Sequence, residues 1–135
     1  MANIVLGLSE IVLWVSDMDR SLDFYHGILG LSLISPPEVP PRFLGAGEGA
    51  GGVPQMVVLV QHPEPGFTFP AEKSRRVLHH LALTADPDRY YELREALTAA
   101  GLELRDGVHP VLKGVRTFYV NDPDGNEVEV ISPEK

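Results

Sequence analysis

The sequence predicts an α+β fold built from two tandem βαβββ modules that close around one cup. Three observations carry this expectation. Each half of the chain runs strand, capped helix, Gly-Leu, then further strands. Ser16-Asp17-Met18-Asp19-Arg20 is echoed by Ala85-Asp86-Pro87-Asp88-Arg89, and Gly30-Leu31 by Gly101-Leu102. Two copies are too few for a solenoid, so the units are expected to pair.

The elements follow from local pattern. Residues 10–15 alternate Ile11, Leu13 and Val15 against Glu10, Val12 and Trp14, as a strand does. Ser16-Asp17 supplies a capping oxygen, Leu22, Tyr25, Ile28 and Leu29 recur at helical spacing, and Gly30 suits a left-handed helix end. A strand over 31–34 is stopped by Pro36-Pro37, a short one is expected at 42–44, and 55–61 is a third apolar run. In the second half, 77–85 reads as a strand. Asp86-Pro87 reads as an N-cap with a first-turn proline, and Tyr90, Leu93, Leu97 and Ala100 form a helical stripe. Strands beginning at 102–104, over 115–121 and over 127–131 complete the module. The 135 residues make one domain, with module one at about 7–62, a connector at 63–76 and module two at about 77–133.

Composition narrows the function classes. A hydrophobic share of 44% with 22% charged residues is that of a chain able to build a core. Net charge is −8, and the densest basic stretch is Lys73-Ser-Arg75-Arg76, so nucleic acid is not an expected partner. Apolar runs such as 56–60 are too short to span a bilayer, so no membrane partner is expected. The start, Met1-Ala2-Asn3-Ile4-Val5-Leu6, lacks the basic and long apolar regions of a signal peptide, which points to a cytoplasmic location. Without cysteine, thiolate catalysis and sulfur-ligated metal are excluded.

Glu10-Ile-Val-Leu-Trp-Val-Ser-Asp17, Phe24-Tyr25 and Leu29-Gly30-Leu31 together resemble the opening of vicinal-oxygen-chelate proteins, the glyoxalase, bleomycin-resistance and extradiol-dioxygenase superfamily. Residues 118–129, from Phe118-Tyr119 through Asp122-Pro123-Asp124-Gly125 to Glu129, resemble its closing hairpin. The resemblance implies metal-ligand positions at Glu10, Leu59, His80 and Glu129. Leucine cannot ligate, so Glu10, His80 and Glu129 form the expected set, open where Leu59 stands. Strand alternation agrees, placing Glu10, Val12 and Trp14 on one face and His80, Ala82 and Thr84 on another, with His79 pointing away from His80. Two carboxylates and an imidazole neutralise a divalent ion and suit Mn, Fe, Co, Ni or Zn. The implied partner is a small-molecule substrate that chelates through neighbouring oxygens, and a homodimer is common among small relatives.

Two reaction types are implied, a glyoxalase I (lactoylglutathione lyase)-like isomerisation and a ring-cleaving dioxygenation. The alternative is a non-catalytic binder of the bleomycin-resistance type that sequesters an antibiotic. Candidate catalytic residues are Glu129 and Glu10, as ligand or base, with Tyr119 and His109. The last two come from a dioxygenase-like run, Gly107-Val108-His109 to Tyr119 and Asp122-Pro123-Asp124-Gly125, in which the gap is one residue too long. Their structural readings are a loop histidine before Pro110 and a packed strand aromatic. Gly47-Glu48-Gly49-Ala50-Gly51-Gly52 spells G-x-G-x-x-G but precedes a strand, so it reads as a loop, not a phosphate cradle. Trp14 either lines the pocket or packs as core.

Overall fold

A computed structural model describes residues 4–134. It divides into two compact units, Met1–Phe67 and Thr68–Lys135. Each contains a four-stranded mixed sheet with a helix between its first and second strands.

In the first unit β1 (Glu10–Val15) lies parallel to β4 (Gln55–Gln61), then come β3 (Arg42–Gly47) and β2 (Ser32–Leu33), antiparallel. Asp17 caps α1 (Met18–Leu22), its carboxylate accepting from Arg20 N at 3.2 Å. The helix then widens into a π-helical turn over Asp23–Ile28. There the N–H of Leu29 reaches the carbonyl of Phe24, and buried Phe24 and Tyr25 meet edge to face at 4.9 Å. The chain leaves through Gly30 at φ 78°. Leu13 and Val15 are buried, whereas Val12 and Trp14 are each 52% exposed, so the predicted alternation in β1 holds.

The second unit repeats the connectivity. β5 (Leu81–Thr84) lies parallel to β8 (Glu127–Pro133), followed by β7 (Val115–Asn121) and β6 (Arg105–Gly107). Its helix α2 (Tyr90–Ala99) covers the face that carries Phe118, the Tyr90 and Phe118 rings lying 5.6 Å apart. Phe118 pairs in register with Val130, and both are buried. The opposite face carries Thr117, Tyr119 and Glu129.

Several boundaries differ from expectation. α2 starts at Tyr90, because Asp86 closes a turn instead: its side chain accepts from Asp88 N at 2.8 Å and its carbonyl from Arg89 N at 3.1 Å. β6 starts at Arg105, not at 102, since Leu102 N is used to close the end of α2 on the Leu97 carbonyl. β5 is only four residues long, so Val77 to His80 precede the strand. β3 runs on to Gly47, and the glycine run then turns through a short 3-10 segment into β4 without meeting a helix.

The Asp122–Gly125 turn is structural, as its chemistry predicts. Asp122 is buried and its carboxylate accepts from the N–H groups of Asp124 and Asn126 at 2.9 and 2.8 Å. Arg76 staples the connector to this turn, donating to the Asp124 carbonyl at 2.6 Å and to Asn126 Oδ1 at 3.2 Å. Gly125 sits at φ 82°, a backbone conformation that favours glycine, and a Cβ there would displace the Arg76 guanidinium, whose Nη2 would lie 2.6 Å away.

Candidate metal centre

The open face of the second sheet gathers a connected set of polar side chains. Parallel pairing places Ala82 beside Glu129, and the antiparallel register places Tyr119 on Glu129's other flank. Neighbours in register share a face, so the sheet brings Glu129, Thr117 and Tyr119 to one side, and His80, just ahead of β5, joins them by its contact with Glu129. His80 Nε2 lies 3.1 Å from Glu129 Oε1. Thr117 Oγ1 donates to Glu129 Oε2 at 2.7 Å. Glu129 is 3% exposed. Buried polar atoms cost free energy unless they are hydrogen-bonded, and both carboxylate oxygens of Glu129 have a partner.

Tyr119 stands edge-on to His80, ring centroids 5.9 Å apart. Its ring crosses Gly107, where a Cβ would come within 2.6 Å of Tyr119 Cε2. Gly107 therefore makes room for the tyrosine to lean over the sheet. Burial, then the Glu129 charge and a hydrogen bond to it, raise the phenol above its ordinary value, so Tyr119 holds its proton.

Glu127, two residues before Glu129 on the same face, accepts from Lys73 at 2.6 Å and Arg105 at 3.1 Å. Burial pushes its carboxyl up, but the hydrogen bonds from Lys73 and Arg105 outweigh that and hold it low. One donor atom each from His79, His80 and Glu127 also lie within 4.8 Å of one another. Glu127 is the poorer anion for a metal of the two, since both of its partners, Lys73 and Arg105, are already cations.

Two expectations are corrected. His79 does not turn away from His80: the two Nδ1 atoms are 2.7 Å apart, because β5 begins only at Leu81 and strand alternation does not reach back to His79. Leu59 is not the first-unit counterpart of Glu129. Glu129 neighbours Ala82, two residues after His80, and the matching neighbour of Val12, two after Glu10, is Val58. Leu59 instead pairs with buried Leu13 and is fully buried itself.

Glu10 stands exposed at the head of β1, in step with Val12 and Trp14. It belongs to the first unit, and His80 and Glu129 to the second. His109 lies in the loop after β6, where its Nδ1 accepts from the N–H groups of Val111 and Leu112 at 3.2 and 2.9 Å. His62 stacks on Phe67 at 3.8 Å with Trp14 edge-on at 5.2 Å, and exposed His26 contacts the Leu31 carbonyl at 2.7 Å. Sequence reasoning passed over Thr117, although its step of two from Tyr119 was a usable signal of a shared face.

Comparison with known proteins agrees with this architecture. The chain is 28% identical over 126 residues to the lactoylglutathione lyase of Haemophilus influenzae, covering 89% of this chain and 87% of that protein. A glyoxalase/dioxygenase structure from Nostoc punctiforme superposes with a TM-score of 0.69 at 24% identity, over 100% of both chains. TnmS3, an antibiotic binding protein from Streptomyces sp. CB03234, superposes with a TM-score of 0.62 at 22% identity, over 98% of this chain and 100% of that one. These two likenesses establish shared fold. Among the described residues no helix is long and apolar enough to cross a membrane. With residues 7–130 matching the family model, the chain belongs to the Glyoxalase/Bleomycin resistance protein/Dioxygenase superfamily.

Proposed function

We propose that the chain is a divalent-metal-dependent enzyme of the glyoxalase I type, acting on a small substrate that chelates through neighbouring oxygens. The observation that carries this is Glu129: a buried carboxylate bonded to His80 Nε2 and Thr117 Oγ1, beside a tyrosine that retains its proton. The extended likeness to a lactoylglutathione lyase favours isomerisation over ring cleavage. His80 and Glu129 would hold the ion, and Glu10 is the third ligand the resemblance implies.

The donor chemistry fits. One imidazole nitrogen and two carboxylate oxygens balance a divalent charge and suit Mn, Fe, Co, Ni or Zn. When bound, such an ion polarises substrate oxygens as a Lewis acid. Glu129 Oε2, released from Thr117, would take a proton from substrate carbon. Tyr119 supplies an O–H to an oxygen that gains negative charge.

The test begins with elemental analysis of protein purified without chelator. Stoichiometric metal in wild type and its loss in His80→Ala are expected, followed by turnover of methylglyoxal hemithioacetals with nickel, cobalt or zinc. Oxygen-dependent cleavage of catechols with ferrous iron would reassign the reaction to the dioxygenase type. Absence of metal and turnover, with tight antibiotic binding, would replace the enzyme by a sequestering protein.

A further inference from the structure

We infer that the helix side of the second sheet carries a separate binding site, a pocket for a small organic carboxylate built around Arg116. Arg116 stands two residues before Phe118 on β7, so it shares the face that α2 covers, opposite to the face of Glu129. A cavity of about 470 Å³ opens there, and its walls include Tyr90, Tyr91, Arg94, Asp106, Val115 and Arg116. Small-molecule sites span roughly 300–1,000 Å³, so the space is large enough for a ligand of modest size.

The guanidinium of Arg116 is held but not neutralised. It is half-buried, its central carbon 4.2 Å from the Tyr90 ring centroid and 5.2 Å from that of Tyr91. Such contacts fix a cation in place without supplying a counter-charge. Nη2 donates to the Pro87 carbonyl at 3.3 Å, and Nε is buried with no partner. Among the described residues no carboxylate pairs with it. A cation withdrawn from water ordinarily has an anion beside it, and here the place for one is open. Arg94 brings a second guanidinium over the same Tyr90 ring at 5.8 Å, with Nη1 bonded to Asp106 at 2.8 Å. Exposed Glu134 also lines the cavity and pairs with neither arginine. Two acids beside two arginines repel a dianion, so a single negative charge suits the space better than a phosphate. The planar fork of arginine matches a carboxylate, and Tyr90, Tyr91 and Val115 offer an apolar wall to the body that carries it.

The experiment titrates full-length protein with benzoate, benzyl alcohol and inorganic phosphate at fixed pH and ionic strength. Affinity is read by calorimetry, and the Arg116 Nε–H signal by proton–nitrogen NMR. Saturable benzoate binding that moves this signal is expected, with benzyl alcohol and phosphate each at least about 10-fold weaker. Arg116→Met is expected to weaken benzoate about 10- to 100-fold. Arg116→Lys, which keeps the charge and loses the fork, is expected to fall between that variant and wild type. Benzoate shifts that never saturate and that chloride reproduces overturn the inference, as does phosphate binding more tightly than benzoate. Wild-type benzoate affinity in folded Arg116→Met overturns it too, since Arg116 would then only brace the two tyrosines. Should Arg116→Met not fold, wild-type affinity in Arg116→Lys is the overturning result. Loss of benzoate binding in His80→Ala would place the anion on the Glu129 face and equally overturn it. Failure of the proposed enzyme leaves the outcome readable, because this site lies on the other side of the sheet.

Discussion

Thr117 Oγ1 and Glu129 Oε2 are 2.7 Å apart on adjacent antiparallel strands, and both residues are buried. The hydroxyl is the partner that leaves the second carboxylate oxygen satisfied. Thr117→Val keeps the shape and removes the donor, so the buried carboxylate loses its 2.7 Å hydrogen bond from Thr117. The expected cost is about 1–3 kcal/mol in urea unfolding, with Thr117→Ser recovering most of it. Equal unfolding midpoints for wild type and Thr117→Val would show that Glu129 draws its stabilisation elsewhere.

Much of the fold was legible because strand and helix periods are local. The limits of β1 and β4, and those of β7, were readable from alternation and apolar run length alone. Pairing of the strands was not, because register depends on turns and bulges that alternation does not encode. The shift from Leu59 to Val58 is of this kind: both are apolar, adjacent and buried, and only the neighbour of Val12 separates them. His79 was misjudged for a related reason. Residues 77–85 look like one strand, yet the backbone joins the sheet only at Leu81, so a rule of alternation was applied to residues that do not obey it. Glu129 and His80 were identifiable through resemblance, whereas Thr117, whose role arises from the hairpin register, needed three dimensions.

Register also sets the expected behaviour of the first sheet. Leu59 faces the same side as Leu13, opposite to the face of Glu10 and Trp14. A charge there enters the apolar core with no partner. Leu59→Glu is therefore expected to give an unfolded or aggregated chain, and Leu59→Met, which keeps the volume, to cost less than about 1.5 kcal/mol. Circular dichroism and thermal melting read both. A folded Leu59→Glu protein with raised metal affinity would restore Leu59 to the open face and refute the Val12–Val58 pairing.

The last expectation concerns acid. Glu127 joins Lys73 and Arg105, and these hydrogen bonds overcome the upward push of burial to hold its carboxyl below the ordinary value of 4.5. A carboxyl depressed in the folded state binds its proton later than in the unfolded chain. Its stabilisation is thus complete above the unfolded value and is lost as pH falls through the lower folded one. Lys73 and Arg105 side chains are 43% and 40% exposed, which screens the pairs. The net contribution is accordingly expected to be about 0.5–1 kcal/mol at neutral pH, and smaller in high salt. Urea titrations of wild type and Glu127→Gln should differ by that amount near neutrality and converge in strong acid, where the wild-type carboxyl is also uncharged. Lys73→Met should remove part of the same difference. A gap between wild type and Glu127→Gln that stays constant from neutral to strongly acidic pH would mean that the charge of Glu127 contributes nothing, and that its role is confined to neutral packing against the connector.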